Sequence, residues 1–184
     1  MKMGKKAEQW IVGKKERVAD CRVFEVVRQT SRRESGGPES DWFVIDTADF
    51  VNVVAITDED EIVLVRQFRH GSETLSLELP GGMVDAGEDP LEAGIRELRE
   101  ETGFVGDGAV KFADCHPNPA IMNNRCHYAL IKNVRQVADF EWDEHEEMEV
   151  VTLPRKEVYD ACRRGELTHS LTLAALMRLS LLDD

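Results

Sequence analysis

The sequence predicts an α/β or α+β fold in which a mixed β-sheet carries helices on its faces. The first half of the chain is rich in short runs of Val, Ile and Phe that suit strands. One well-capped amphipathic helix follows these runs, and the chain then returns to strands before it ends in helices. Strands and helices that follow one another in this order are typical of helices packed against a sheet.

The predicted strands of the first half lie where β-branched and aromatic residues cluster. They cover residues 18–30, 42–46, 50–57, 62–66 and 75–80. Residues 31–41 contain Gly36, Gly37 and Pro38 and are expected to form a turn or loop. The acidic run at 58–61 is expected to connect two strands in a hairpin-like arrangement.

The clearest helix is predicted at residues 90–102. Asp89 suits its N-cap, Pro90 its first position and Gly103 its C-terminal stop. A helical wheel predicts a core face made of Leu91, Ile95, Leu98 and Thr102. Further strands are predicted at residues 109–115, 125–133 and 148–153, and helices at 155–163 and 170–182.

The composition indicates a globular protein. The 184 residues suit one domain with an N-terminal accessory sheet, and 42% of them are hydrophobic and 32% charged. The formal net charge of −13 argues against general binding to nucleic acid or to an anionic membrane. It does not exclude a small anionic substrate, because a metal and a few arginines can reverse the field inside one cleft.

Cysteine spacing and hydropathy predict a reduced, cytoplasmic protein. Cys21, Cys115, Cys126 and Cys162 are far apart and form no CxxC pair, so neither a zinc site nor a disulfide framework is expected. No apolar run approaches the roughly 18 residues of a membrane helix, and Glu8 and Gln9 interrupt any signal peptide.

Three carboxylates share one face of the predicted helix: Glu97, Glu100 and Glu101. Like charges at this spacing destabilise an isolated helix, whereas oxygen-rich clusters suit Mg²⁺ or Mn²⁺. The alternative is a solvated acidic face paired with Arg96 and Arg99.

The residues around these glutamates favour the metal site. Residues 81–104 read GGMVDAGEDPLEAGIRELREETGF. Nine constrained positions fill a 23-residue window without a gap: Gly82, Glu88, Arg96, Glu97, Leu98, Glu100, Glu101, Gly103 and Phe104. This pattern resembles the complete signature of the Nudix hydrolase family.

The resemblance implies an α/β/α sandwich with a mixed sheet, in which a loop–helix–loop motif holds the metals. It implies that Glu97 and Glu101 bind metal directly, that Glu100 does so directly or through water, and that the Gly81 carbonyl is a further ligand. The remaining motif residues are expected to be structural: Arg96 holds the carboxylates, Glu88 braces the loop, Gly82 forms a turn and Gly103 ends the helix. Family members use water to cleave a nucleoside diphosphate linked to another group, while metals neutralise charge and a carboxylate takes the proton.

Features outside the motif resemble the ADP-ribose pyrophosphatase branch. Residues 65–69, VRQFR, and 77–82, LELPGG, imply that Arg69 contacts the diphosphate and Glu78 the sugar side of the cleft. A surface charge is the alternative for Arg69. Pro119, 16 positions past Gly103, has the spacing associated with ADP-ribose hydrolysis, although Pro117 lies beside it.

The acidic segment 143–150 resembles the loop that supplies the catalytic base in this branch. Glu144 is the favoured base, and Glu146 is a further metal ligand or an alternative base. Glu147 and the helix residue Glu100 are further candidates, and a solvated acidic turn is the alternative for the whole segment.

The N-terminal part carries little recognisable signal. The resemblance implies strands at 1–48 that contribute to a homodimer and to the base pocket, and a hydrolase domain at 49–184. Trp42 is expected to stack on the nucleobase, with Trp10 as a competitor and a core position as the alternative.

The sequence therefore predicts a Mg²⁺-dependent hydrolase, with Mn²⁺ as an alternative metal, that acts on nucleoside diphosphate sugars such as ADP-ribose and GDP-mannose. A nucleoside triphosphate sanitiser and a non-catalytic nucleotide-sugar sensor are the competing functions. The intact motif and the lack of a basic domain argue against the sensor.

Overall fold

A computed structural model describes residues 7–138 and 147–182. The chain divides into two compact units, of which the first runs to Thr47 and includes Asn118–Asn124, and the second contains Ala48–Pro117 and the segment from Arg125 onward. Within the described ranges, no helix is both long and apolar enough to cross a membrane. All four cysteines are unpaired.

The first unit is a three-stranded antiparallel sheet in the order β1-β2-β3. Its strands are β1 at Trp10–Asp20, β2 at Glu25–Arg33 and β3 at Ser40–Asp46. The segment Asn118–Asn124 belongs to this unit, and the Ile45 amide donates to the Ile121 carbonyl at 2.7 Å.

The single strand predicted at 18–30 is wrong. A turn in which Arg22 has a φ of 68° separates β1 from β2. Strand β1 was missed because it is exposed along its whole length, so its sequence lacks the alternation that a half-buried strand shows. Strand β2 also continues to Arg33, which shortens the loop predicted at 31–41.

The second unit contains a six-stranded sheet, ordered β6-β5-β4-β8-β7 with β9 paired to β5. The strands are β4 at Phe50–Ile56, β5 at Glu61–Arg69, β6 at Thr74–Glu78, β7 at Phe104–Cys115, β8 at Cys126–Gln136 and β9 at Met148–Pro154. The sheet is mixed, because β4 pairs with β8 in parallel and the other pairs are antiparallel. The hairpin-like pairing of β4 with β5 is limited to Ile56 and Ile62.

Helices cover both faces of this sheet: α1 at Pro90–Thr102, α2 at Arg155–Arg164 and α3 at Ser170–Ser180. Alternate residues of β4 enter different cores, with Val53 packed in the cluster of α1 and Val54 in that of α2 and α3. This arrangement confirms the predicted mixed sheet with helices on its faces.

The core face of α1 differs from the predicted one. Leu98 and Thr102 are buried as expected, but Ile95 is 39% exposed. Gly94 explains the rotation, because a Cβ there would lie 3.1 Å from Val51 Cγ2 and 3.3 Å from the Ala129 Cβ. The helix packs on the sheet through this glycine, which moves Ile95 outward.

Candidate active site

The loop–helix–loop forms as its capping residues predict. The Asp89 side chain accepts a hydrogen bond from the Leu91 amide at 2.8 Å, and Pro90 opens the helix. Gly103 adopts a left-handed φ of 69° and donates its amide to the Arg99 carbonyl. Both ends of α1 are therefore defined by local sequence.

The turn at Gly81 and Gly82, called the glycine turn below, needs glycine because its backbone lies directly on β4. The Val51 amide donates to the Gly82 carbonyl at 2.9 Å, and the Val53 amide donates to the Pro80 carbonyl at 2.8 Å. A Cβ at Gly81, whose φ is 153°, would lie 2.0 Å from the Val51 carbonyl oxygen. No other residue fits there without moving the backbone.

Two motif glutamates reach this glycine turn from α1. Glu101 is only 6% exposed, and its Oε2 accepts the Gly81 amide at 2.9 Å. A Cβ added at Gly82 would lie 2.5 Å from Oε1 of Glu97. The side-chain oxygens of Glu97 and Glu101 therefore lie against the same turn.

Arg96 connects the other carboxylates of the motif. Its Nε and Nη2 donate to the two oxygens of Glu88 at 3.0 Å each, and its Nη1 donates to Glu97 at 2.9 Å and Glu100 at 3.0 Å. Nη2 also donates to the Met83 carbonyl at 3.2 Å. The hydrogen bond with Glu88 is the largest of the interactions that raise the pKa of Arg96. One guanidinium thus donates hydrogen bonds to three carboxylates.

Arg69 forms a separate, bidentate pair with Glu78. Its Nε donates to Oε1 at 2.9 Å and its Nη2 to Oε2 at 2.8 Å. The Glu78 side chain is 1% exposed, whereas that of Arg69 is 46% exposed. Burial raises the pKa of Glu78, but the hydrogen bonds and charge of Arg69 outweigh burial, so the pKa lies below its ordinary value. Glu78 is therefore an ionised, buried partner of Arg69.

The glycine turn and Arg69 line one cavity of about 310 Å³. Its other lining residues are Phe50, Val51, Asn52, Met83, His169 and Leu171. The hydrogen bond with Glu78 is the largest of the interactions that raise the pKa of Arg69, and the negative charge of Glu101 adds a smaller contribution in the same direction. A larger apolar groove of about 520 Å³ between α2 and α3 contains none of the predicted site residues.

His169 and Asn52 were missed by the sequence analysis. Asn52 is buried and donates to the Leu79 carbonyl at 3.4 Å, and His169 directly precedes α3. A signal existed for His169, because it occupies the position before a predicted helix where Ser, Thr, Asp or Asn is usual.

The donors at the glycine turn suit a hard divalent cation. They include the carboxylates of Glu97 and Glu101, and oxygen ligands are those that Mg²⁺ and Mn²⁺ prefer. Among the residues that the structure describes, no three His, Cys, Asp or Glu side chains are grouped closely enough to hold a metal. The Gly81 carbonyl and Glu100 remain predicted ligands, and Glu100 Oε2 accepts a hydrogen bond from Arg96 at 3.0 Å.

Other predicted residues belong to the first unit or fall outside the described residues. Trp42 belongs to the first unit and is 47% exposed, and its ring meets that of Trp10 edge to face at 5.6 Å. Neither of these tryptophans is a core residue. Pro119 is exposed in the Asn118–Asn124 segment of the same unit. Glu144 and Glu146 lie outside the described residues.

Comparison with known proteins identifies the family. The NUDIX domain matches residues 47–173. An ADP-ribose pyrophosphatase of Bacillus subtilis is 30% identical over 71% of this chain and 71% of its own length. An ADP-ribose pyrophosphatase of Mycobacterium tuberculosis is 30% identical over 84% of this chain and 75% of its own length.

A solved structure shares the fold. The crystal structure of an ADP compounds hydrolase superposes with a TM-score of 0.83 at 23% identity, over 97% of this chain and 96% of that one. Nudix hydrolases generally depend on a divalent metal, in agreement with the oxygen donors at the glycine turn. The chain therefore belongs to the Nudix hydrolase family.

Proposed function

We propose that the protein hydrolyses the diphosphate of ADP-ribose and related ADP-sugars to AMP and a sugar phosphate. Its ADP-ribose pyrophosphatase relatives, 30% identical over most of both chains, support this substrate class. GDP-mannose is a second proposed substrate, and Mg²⁺ is the proposed metal, with Mn²⁺ as the alternative.

The observation that carries the proposal is the shared cavity. Arg69 and the glycine turn line the same space, so a diphosphate bound there would meet a guanidinium and the motif carboxylates together. A planar, charged guanidinium with two bonds to Glu78 still has donors available for phosphate oxygens.

Different residues of this chain would bind the substrate and the cation. Arg69 binds the diphosphate, Glu78 orients Arg69, and Glu97, Glu101 and the Gly81 carbonyl would hold the cation. A bound divalent cation supplies neutralisation of phosphate charge and acidification of bound water. Arg96 keeps Glu97 in place through a 2.9 Å hydrogen bond until substrate and cation arrive.

The proton of the attacking water is proposed to pass to a carboxylate of the acidic segment 143–150. Glu144 is the proposed base, and Glu146 the alternative base or a further ligand. Glu147, which is exposed, and Glu100 on α1 are the next candidates. A carboxylate is suitable because it can accept a proton from water that is activated in the site.

Product analysis tests the proposal. Purified protein is incubated with Mg²⁺ and ADP-ribose, GDP-mannose or a nucleoside triphosphate. The proposal expects AMP and ribose 5-phosphate from ADP-ribose, and loss of turnover with a chelator. Release of pyrophosphate from the triphosphate alone would favour a sanitising enzyme, and tight ADP-ribose binding without any product would favour a sensor.

We also propose that residues 1–48 contribute to a cytoplasmic homodimer and to its base pocket. The first unit supports this, because β1 is exposed along its length and presents Trp10, Ile11 and Val12 to solvent. Trp42 beside Trp10 offers an aromatic surface for a nucleobase. Light scattering at assay concentration should give twice the 20.8 kDa chain mass, and a fully active monomer would contradict the dimer.

A further inference from the structure

The imidazole of His169 faces the Arg69–Glu78 pair from a different element. His169 precedes α3, and its Nδ1 lies 3.0 Å from Thr172 Oγ1 and 3.2 Å from Glu78 Oε2. The Thr172 hydroxyl in turn accepts the Leu79 amide at 3.1 Å. The ring therefore contacts the Glu78 carboxylate directly and is connected to the Leu79 amide through Thr172.

Helix capping does not explain this histidine. The His169 side chain makes no capping hydrogen bond to α3, although it occupies the N-cap position. Its ring lines the 310 Å³ cavity together with Arg69 and the glycine turn. The side chain thus lines the cavity while its Nδ1 contacts the Thr172 hydroxyl in the first turn of α3.

The surroundings determine which ring nitrogen carries the proton. Burial lowers the pKa of His169, the Glu78 charge opposes this and the Arg69 charge adds to it, so the pKa lies below that of an ordinary histidine and the ring is neutral. The tautomer with the proton on Nδ1 is the one that attracts Glu78, because a lone pair on Nδ1 would face the carboxylate and be repelled. Thr172 Oγ1 has two acceptor sites and can receive both the Leu79 amide and Nδ1–H.

We propose that His169 is a positioning residue that holds Glu78, and through Glu78 the guanidinium of Arg69, for binding of the diphosphate. The proposal rests on the proposed function, because it assigns Arg69 to the substrate diphosphate. The 3.2 Å contact between His169 Nδ1 and Glu78 Oε2 restricts the carboxylate on one side, while Arg69 donates to both its oxygens.

Variants at His169 separate this role from simple packing. His169→Asn keeps an amide N–H near the position of Nδ1, whereas His169→Gln places its amide nearer the position of Nε2. His169→Ala has no N–H at either position. With ADP-ribose and Mg²⁺, His169→Ala is expected to raise KM about tenfold and to change kcat less than about twofold, because it weakens ground-state positioning of Arg69. The KM of His169→Asn should be close to that of the wild type, and the KM of His169→Gln should stay raised.

A double-mutant cycle tests the route through Arg69. On an Arg69→Ala background, His169→Ala should leave KM unchanged, because the residue that it positions is gone. The matched control is His70→Ala, since His70 is adjacent to Arg69 but its ring contacts Phe68, at 5.2 Å. Additive effects of His169→Ala and Arg69→Ala, or Asn as poor as Ala, would overturn the proposal.

A spectroscopic measurement remains decisive if ADP-ribose is not cleaved at all, an outcome that would refute the proposed function alone. Proton–nitrogen correlation spectra of the wild type should show His169 protonated on Nδ1 and a shifted Arg69 Nε–H resonance. The Arg69 resonance should move in His169→Ala and return in His169→Asn. An unchanged Arg69 resonance in a folded His169→Ala protein would refute the positioning role.

Discussion

Arg96 and Arg69 are two arginines of the second unit that use their guanidinium groups in opposite ways. Arg96 bonds to Glu88, Glu97 and Glu100, and the Glu97 and Glu100 side chains are 15% and 43% exposed. Arg69 bonds to one carboxylate, Glu78, which is 1% exposed. A carboxylate that shares one guanidinium with other carboxylates can exchange that hydrogen bond for a cation with a small loss of free energy. A buried ion pair, in contrast, keeps its geometry. The comparison supports the proposed roles, in which the motif binds the metal and Arg69 binds the substrate.

The largest expected effect is on the metal side. Glu101→Gln should lower kcat by about three orders of magnitude, because it removes the charge that binds the cation. The amide oxygen of Gln can still accept the Gly81 amide, so the fold should persist. Steady-state kinetics at saturating Mg²⁺ measures the loss. Glu92→Gln, the same change on the exposed first turn of α1, is the control and should retain wild-type activity.

Substitutions in the acidic segment 143–150 are expected to lower kcat more than they weaken substrate binding. Glu144→Gln should cost roughly 10² to 10⁴ in kcat with little change in KM, because Glu97, Glu101 and Arg69 still capture the substrate. Glu146→Gln and Glu147→Gln are made beside it, with ADP-ribose and GDP-mannose as substrates. Wild-type kcat in all three variants would assign the proton to another group, of which Glu100 is the next candidate.

Removal of the Arg69 guanidinium should lower the stability of the protein as well as raise KM. Arg69→Ala leaves Glu78 buried without its main partner and should lower the free energy of unfolding by about 3 kcal/mol at pH 7. The folded-state pKa of Glu78 lies below its ordinary value, so the pair stabilises the fold above that value and the contribution is lost as pH falls through the folded pKa.

Denaturant unfolding between pH 3 and pH 8 measures this contribution. The stability deficit of Arg69→Ala relative to the wild type should shrink as pH falls, because without the guanidinium burial raises the pKa of Glu78 and its protonation then favours the folded variant. The double variant Arg69→Ala/Glu78→Gln should be more stable than Arg69→Ala alone. Equal stability of the wild type and Arg69→Ala throughout this range would show that the buried pair contributes nothing.

Local sequence was enough to predict α1 and its turn. Asp89, Pro90 and Gly103 determine the helix ends through short-range bonds, and the motif residues follow one another within a single window. The rotation of α1 could not be predicted, because it depends on Gly94 meeting Val51 and Ala129 of distant strands. Burial of Glu101 follows from that rotation.

Long-range partners account for the other differences. The Arg69–Glu78 pair was visible as two separate residues, but its bidentate geometry depends on the register in which β5 pairs with β6. His169 is 91 positions from Glu78 in the sequence, and only the packing of α3 brings the two together. Strand β1 lacked any burial pattern because both of its faces are exposed.

The most direct test of the comparison is a Mn²⁺ titration followed by electron paramagnetic resonance. Wild type, Glu101→Gln, Arg69→Ala and the control Glu92→Gln are titrated without substrate. Glu101→Gln should bind Mn²⁺ at least about tenfold more weakly than wild type, while Arg69→Ala and Glu92→Gln bind it as the wild type does. Wild-type affinity in Glu101→Gln, or an equal loss in Arg69→Ala, would contradict the assignment of the motif to the metal and of Arg69 to the substrate.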